Sequence, residues 1–86
     1  MRIERVISWF DKDTESLVSE KNIDCIRFET LKTIFIPPSD DPLLYNSYDI
    51  TGKEASQLNQ HVAIHFEFDR YWYQLDCFQV SPDSLS

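Results

Sequence analysis

Residues 62–69, Val-Ala-Ile-His-Phe-Glu-Phe-Asp, alternate between apolar and polar or small side chains. Successive side chains of an extended strand point to opposite faces, so this period fits a half-buried strand. Val62, Ile64, Phe66 and Phe68 would face a core, with Ala63, His65, Glu67 and Asp69 outward. The alternation resumes after Arg70, over residues 71–79. Tyr71, Tyr73, Leu75 and Cys77 share one side; Trp72, Gln74, Asp76 and Phe78 share the other. Two such tracts in succession predict a β-hairpin with a tight turn at Asp69, Arg70 and Tyr71, although no glycine there identifies the turn type.

The rest of the chain supplies mixed elements. Residues 2–10 read as a first strand, with Ile3, Ile7 and Trp9 on one face, interrupted by Arg5, and Val6 and Phe10 on the other. Asp11 or Asp13 can cap a short helix running to about residue 21, because a carboxylate satisfies free N–H groups at a helix start. Asp24 can cap a second helix over 25–35, where Ile26, Leu31, Ile34 and Phe35 recur at helical spacing. Pro37 and Pro38 end it. Residues 37–44 hold three of the four prolines and read as a stiff loop; residues 45–50 read as a short strand. Thr51 followed by Glu54 is a capping box, and it predicts a third helix over 52–60. The expected fold is α+β: one domain over 1–80, a small antiparallel sheet with about three short helices mainly on one face, and a flexible tail over 81–86.

Charge narrows the function. Asp plus Glu number 15 against 8 Lys plus Arg, for a net charge of -7. Such a surface repels nucleic-acid phosphates and anionic membranes and favours a basic partner. The competing reading is that acidity serves solubility alone. With 42% hydrophobic residues the chain has material for a core, so global disorder is not expected. Two cysteines, Cys25 and Cys77, are too few for a disulfide scaffold, and no apolar run resembles a signal peptide or membrane span. A cytoplasmic location is the expectation.

No catalytic or metal signature stands out, and neither cofactor nor metal is expected. His61 and His65 on an extended strand would stand about 13 Å apart, too far for one zinc. Asp40 and Asp41 lack the spaced oxygens and glycine of a calcium loop. The only glycine, Gly52, excludes a glycine-rich phosphate cradle. The aromatics carry more information. Tyr45, Tyr48, Tyr71, Trp72 and Tyr73 fall in two tracts among carboxylates. Alternation places Glu67, Asp69, Trp72 and Asp76 together on the outer hairpin face. Aromatics beside carboxylates suit a cationic protein surface; the plainer reading is that several of them complete a small core.

Residues 38–51, Pro-Ser-Asp-Asp-Pro-Leu-Leu-Tyr-Asn-Ser-Tyr-Asp-Ile-Thr, and residues 66–77, Phe-Glu-Phe-Asp-Arg-Tyr-Trp-Tyr-Gln-Leu-Asp-Cys, resemble small bacterial proteins. Some of these belong to toxin–immunity loci, including contact-dependent growth inhibition. The segment 9–15, Trp-Phe-Asp-Lys-Asp-Thr-Glu, is similar to the start of immunity proteins of the cloacin and colicin E3 type. The resemblance implies a cytoplasmic protein that neutralises a cognate toxin domain, a basic nuclease in the leading reading, by covering its active site or a nearby surface. The residues expected to meet that partner are Asp40, Asp41, Tyr45, Tyr48, Asp49, Glu67, Asp69, Trp72 and Asp76. A monomer or weak homodimer is expected. The alternatives are an acidic adaptor or regulator unrelated to toxins, a small enzyme, and a structural subunit whose aromatic hairpin is buried between copies.

Overall fold

A computed structural model of the chain describes residues 2–80, with side chains over 3–79; the tail expected at 81–86 lies outside the described residues. The elements are β1 (Arg2–Asp11), β2 (Leu17–Asn22), α1 (Phe28–Phe35), β3 (Tyr48–Asp49), α2 (Gly52–Leu58) and β4 (Tyr71–Val80). The strands form one antiparallel sheet in the order β2-β1-β4-β3. The fold is therefore α+β, with two helices instead of the three expected.

The missing helix is β2. Asp11 does satisfy backbone N–H groups, those of Asp13 and Thr14 at 2.8 and 3.1 Å, but it does so inside a hairpin turn. That turn is closed by the Asp11 N–H donating to the Ser16 carbonyl at 2.9 Å. A short polar side chain that bonds the backbone ahead of it suits either a helix start or a turn. The apolar content of the segment, Leu17 and Val18, is too thin to hold a helix on a core. Its backbone pairs with β1 instead, and every β2 side chain is exposed. A register shift between Trp9 and Phe10 marks a bulge in this pairing.

The expected hairpin between 62–69 and 71–79 is also absent. β4 pairs along its whole length with β1, from Arg2 opposite Val80 to Asp11 opposite Tyr71. Its other edge takes β3, with Tyr48 opposite Leu75, and the Ile50 N–H donates to the Tyr73 carbonyl at 2.9 Å. Residues 63–67 lie in neither helix nor strand. Their alternation is nonetheless real. Val62 is buried, Ile64, Phe66 and Phe68 pack against the core, and Ala63, His65 and Asp69 are exposed. The segment packs its apolar side chains on the core without joining the sheet. It then reverses through a turn in which the Arg70 and Tyr71 N–H groups both donate to the Glu67 carbonyl at 3.0 Å.

The core lies on one side of the sheet. It joins Ile7 of β1 and Tyr73 and Leu75 of β4 to Leu31 and Ile34 of α1 and Ala55 and Leu58 of α2, with Ile23, Ile26, Leu44, Ile50 and Val62 completing it. Burying each such aliphatic side chain is worth roughly 1.5–3 kcal/mol. Helix α1 starts three residues later than expected, because Asp24 is used elsewhere. Its carboxylate accepts the Arg5 N–H at 3.0 Å and the Asn22 amide at 3.2 Å. The helix ends at Phe35 as the prolines require, with Ile36 in a left-handed conformation at φ 41°. Helix α2 begins with the expected capping box: the Thr51 N–H donates to the Glu54 carboxylate at 2.8 Å.

Candidate functional site: the open face of the sheet

The side of the sheet away from the core is set by parity. On β4 it carries Trp72, Gln74, Asp76 and Phe78. The β1 partners are Phe10 opposite Trp72, Ser8 opposite Gln74, Val6 opposite Asp76 and Glu4 opposite Phe78. β2 extends the row with Leu17 opposite Phe10, Glu20 opposite Ser8 and Asn22 opposite Val6. β3 adds Asp49 opposite Gln74. None of these residues belongs to the core cluster, although Val6, Ser8 and Asp76 at the centre of the face are buried. Leu17, Trp72 and Phe78 are 53%, 49% and 47% exposed.

Among the described side chains the charge on this face is of one sign. Glu4, Glu20 and Asp49 project from it, Asp76 lies on it but is buried, and no lysine or arginine projects from it among the described side chains. Arg2 stands in register only at the far end of β1, opposite Val80. The other basic residues are placed elsewhere. Arg5, on the core side, donates to the Leu43 carbonyl at 2.7 Å and lies over the Phe28 ring. Lys32 shares that ring, and Arg70 lies over Tyr71 and 3.5 Å from Glu67. Lys12 sits in the β1–β2 turn, at the margin of the face.

An open groove of about 900 Å³ runs along the Trp72 end of this face. Phe10, Trp72, Tyr71 and Phe68 supply aromatic lining, Asp49 and Gln74 supply acceptors, and Lys12 and Glu15 come from the β1–β2 turn. A second cavity of about 290 Å³ touches Ile3, Tyr45, Cys77 and Gln79. Burial pushes the Cys77 thiol up, so it stays protonated near neutrality, while Cys25 is exposed.

The nine expected partner residues separate into three groups. Trp72, Asp49 and Asp76 share the open face. Asp40, Asp41, Tyr45 and Tyr48 belong to the loop after α1 and to β3, with Tyr48 on the core side, 6.4 Å from the Phe35 ring. Glu67 and Asp69 lie in the turn entering β4, and the Glu67 N–H donates to the Tyr73 hydroxyl on the core side at 2.9 Å. The single outer face expected for Glu67, Asp69, Trp72 and Asp76 is therefore not formed, because their hairpin is not formed.

Two of the carboxylates are buried. Asp41, 6% exposed, accepts the Tyr45 and Asn46 N–H groups at 2.9 and 3.0 Å and the Tyr48 hydroxyl. The Tyr48 hydroxyl, followed by the Asn46 N–H, holds its carboxyl below the usual range. The same bond pushes the Tyr48 phenol up to about 12. Asp76, 7% exposed, accepts the Ser47 hydroxyl at 2.5 Å and the Gln74 amide at 2.9 and 3.0 Å. Both fasten the loop 36–47. In sequence each reads as one more surface carboxylate, since its donors, from the loop 36–47 and from β3 and β4, carry no sequence signature. Sequence reading also passed over Phe10, Leu17, Glu4 and Glu20 as site residues. Parity placed Phe10 and Phe78 on the correct sides of their strands, but only the register brings Phe10 opposite Trp72. Among the described residues no group of three His, Cys, Asp or Glu side chains is arranged to hold a metal, and no helix is long and apolar enough to cross a membrane.

These features define a small α+β domain whose sheet is packed on one side and displays aromatics and carboxylates on the other. The chain belongs to a family described as a domain of unknown function (DUF7683), which it matches over residues 4–76. That span takes in β2, α1, β3 and α2 whole, and most of β1 and β4. A comparison with curated proteins finds no match.

Proposed function

We propose that this protein acts by binding another protein through the open face of its sheet, and that the partner is a basic toxin domain, a nuclease in its most specific form, which it neutralises. The observation that carries the reading is the pairing on one surface of half-exposed Trp72, Phe78 and Leu17 with Glu4, Glu20 and Asp49. Large amphipathic aromatics anchor protein interfaces, and one-signed charge around them speeds encounter with an oppositely charged partner. Carboxylates on this face would take the place of substrate phosphates on a nuclease, while the face itself covers the site. The protein then needs no catalytic group of its own and works as a cytoplasmic monomer.

Co-expression with the product of the gene immediately upstream tests the reading. Rescue of growth and co-purification are expected; failure of both ends it. The interface is mapped with Trp72→Ala and Asp49→Lys, since both residues are exposed, whereas Asp76 is held in the fold. Each variant is expected to weaken the complex by about 2 kcal/mol, roughly thirtyfold. Dimerisation of the chain through this face, with its carboxylates turned away from a second copy, is the competing outcome. Light scattering on the free protein detects it.

A further inference from the structure

The groove at the Trp72 end of the open face has the chemistry of a receptor for a cationic side chain. Asp49 stands opposite Gln74 across the β3–β4 pair, and Trp72 precedes Gln74 by two residues on the same face. Diagonal neighbours of this kind lie about 7–8 Å apart, close enough for one planar group to touch both. Phe10, opposite Trp72 on β1, extends the aromatic wall. The Gln74 amide nitrogen is turned to Asp76, which leaves its carbonyl oxygen as an acceptor. The groove thus offers aromatic surface, a carboxylate at Asp49, an amide oxygen beside it, and a second carboxylate at Glu15.

Two features of the lining bear on the sign of the ligand. Lys12 borders the groove, but so do two carboxylates, Asp49 and Glu15, so the balance of the lining stays negative. The first turn of α2 also borders it, at Thr51 and Gly52. There the Thr51 N–H and hydroxyl are both engaged by Glu54, which places another carboxylate at this helix start.

We propose that this groove receives an arginine side chain of the protein partner, its guanidinium stacked on Trp72 and hydrogen-bonded to Asp49 and the Gln74 oxygen. This rests on the reading that the open face binds a basic protein. A planar guanidinium with five donors matches an aromatic wall beside two acceptors better than a compact ammonium does. Charge complementarity selects this occupant: the face carries carboxylates and places its lysines and arginines elsewhere or at its margins.

The test is titration of the full chain with N-acetyl-arginine amide, followed by nuclear magnetic resonance at the Trp72 indole N–H and the Asp49 and Gln74 backbone amides. Saturable shifts confined to the groove are expected, with affinity about threefold weaker in Asp49→Asn. N-acetyl-citrulline amide, the neutral counterpart, should leave the groove unmoved. Equal shifts with the citrulline probe, or shifts that are unchanged in Asp49→Asn, overturn the proposal. So do shifts spread evenly over distant carboxylates such as Glu29. The two readings fail separately. Probe binding without rescue by co-expression refutes the toxin partner and keeps the groove; rescue without probe binding refutes the groove and keeps the partner.

Discussion

Replacing Tyr73 by phenylalanine removes one oxygen from the centre of the molecule and leaves its ring. That oxygen accepts the Glu67 N–H at 2.9 Å. It ties the segment 62–69, which has no strand partner, to a residue of the sheet, while the Ile64 N–H holds its other end to the Asn59 side chain at 3.2 Å. A neutral hydrogen bond contributes a net 0.5–1.5 kcal/mol, and an orphaned buried donor raises the loss. Glu67 is half-buried in a turn, so water reaches its N–H and limits the loss to about 1 kcal/mol. Tyr73→Leu removes the ring as well. The Tyr73 ring lies 4.8 Å from Phe66, 5.3 Å from Phe68, 5.7 Å from Trp9 and 6.2 Å from Tyr71. Losing this cluster should cost about 3–4 kcal/mol, a large part of the stability of a domain this size. Urea unfolding measures both, and each kcal/mol should lower Tm by about 4–8 °C. Amide exchange localises the first: in Tyr73→Phe the Glu67 N–H should lose protection while the Leu75 N–H keeps it. A neutral Tyr73→Phe with unchanged protection at Glu67 would refute the anchoring role.

Thr51→Ala should destabilise the protein by about 1 kcal/mol in urea unfolding, because the capping box opens at α2. Ile36→Gly should raise stability by about 1 kcal/mol in the same assay, since a β-branched residue is strained at φ 41°. The Asp41 carboxyl is held below its usual value, so its contribution is complete above the unfolded pKa near 3.9 and is lost as pH falls through the lower folded value. Acid unfolding followed by circular dichroism should therefore show a shallower decline below about pH 4 in Asp41→Asn than in the parent. The Tyr48 phenol, pushed up to about 12 by its bond to Asp41, should move down in Asp41→Asn, as an ultraviolet titration of the two proteins would show.

Much of the local structure was legible in the sequence because its causes are local. The alternation in 2–10 and 71–79 gave β1 and β4 with the right residues on each face. The Thr51–Glu54 pair marked α2, and Pro37 and Pro38 ended α1. Alternation in 62–69 even predicted which side chains turn inward. It did not predict a strand, because a period of two records side-chain direction and carries no information about which backbone, if any, lies alongside. The segment 17–22 was lost as a helix for the same reason: Asp11 bonds the chain ahead of it in a turn as readily as in a helix.

For the site, sequence alone determined that acidic and aromatic side chains would share strand faces, and it placed Trp72, Asp76 and Phe78 on one side of β4. The tertiary structure decided the rest. β1 reaches across about sixty residues of chain to pair with β4, and that long-range register sets Phe10 and Leu17 in line with Trp72 and brings Asp49 to Gln74. Folding of the loop 36–47 buries Asp41 and Asp76 against donors that are distant or unmarked in the chain, so two carboxylates that look like surface charge serve the fold. Side-chain direction is a property of each strand by itself. Strand partners and burial are properties of the assembled sheet.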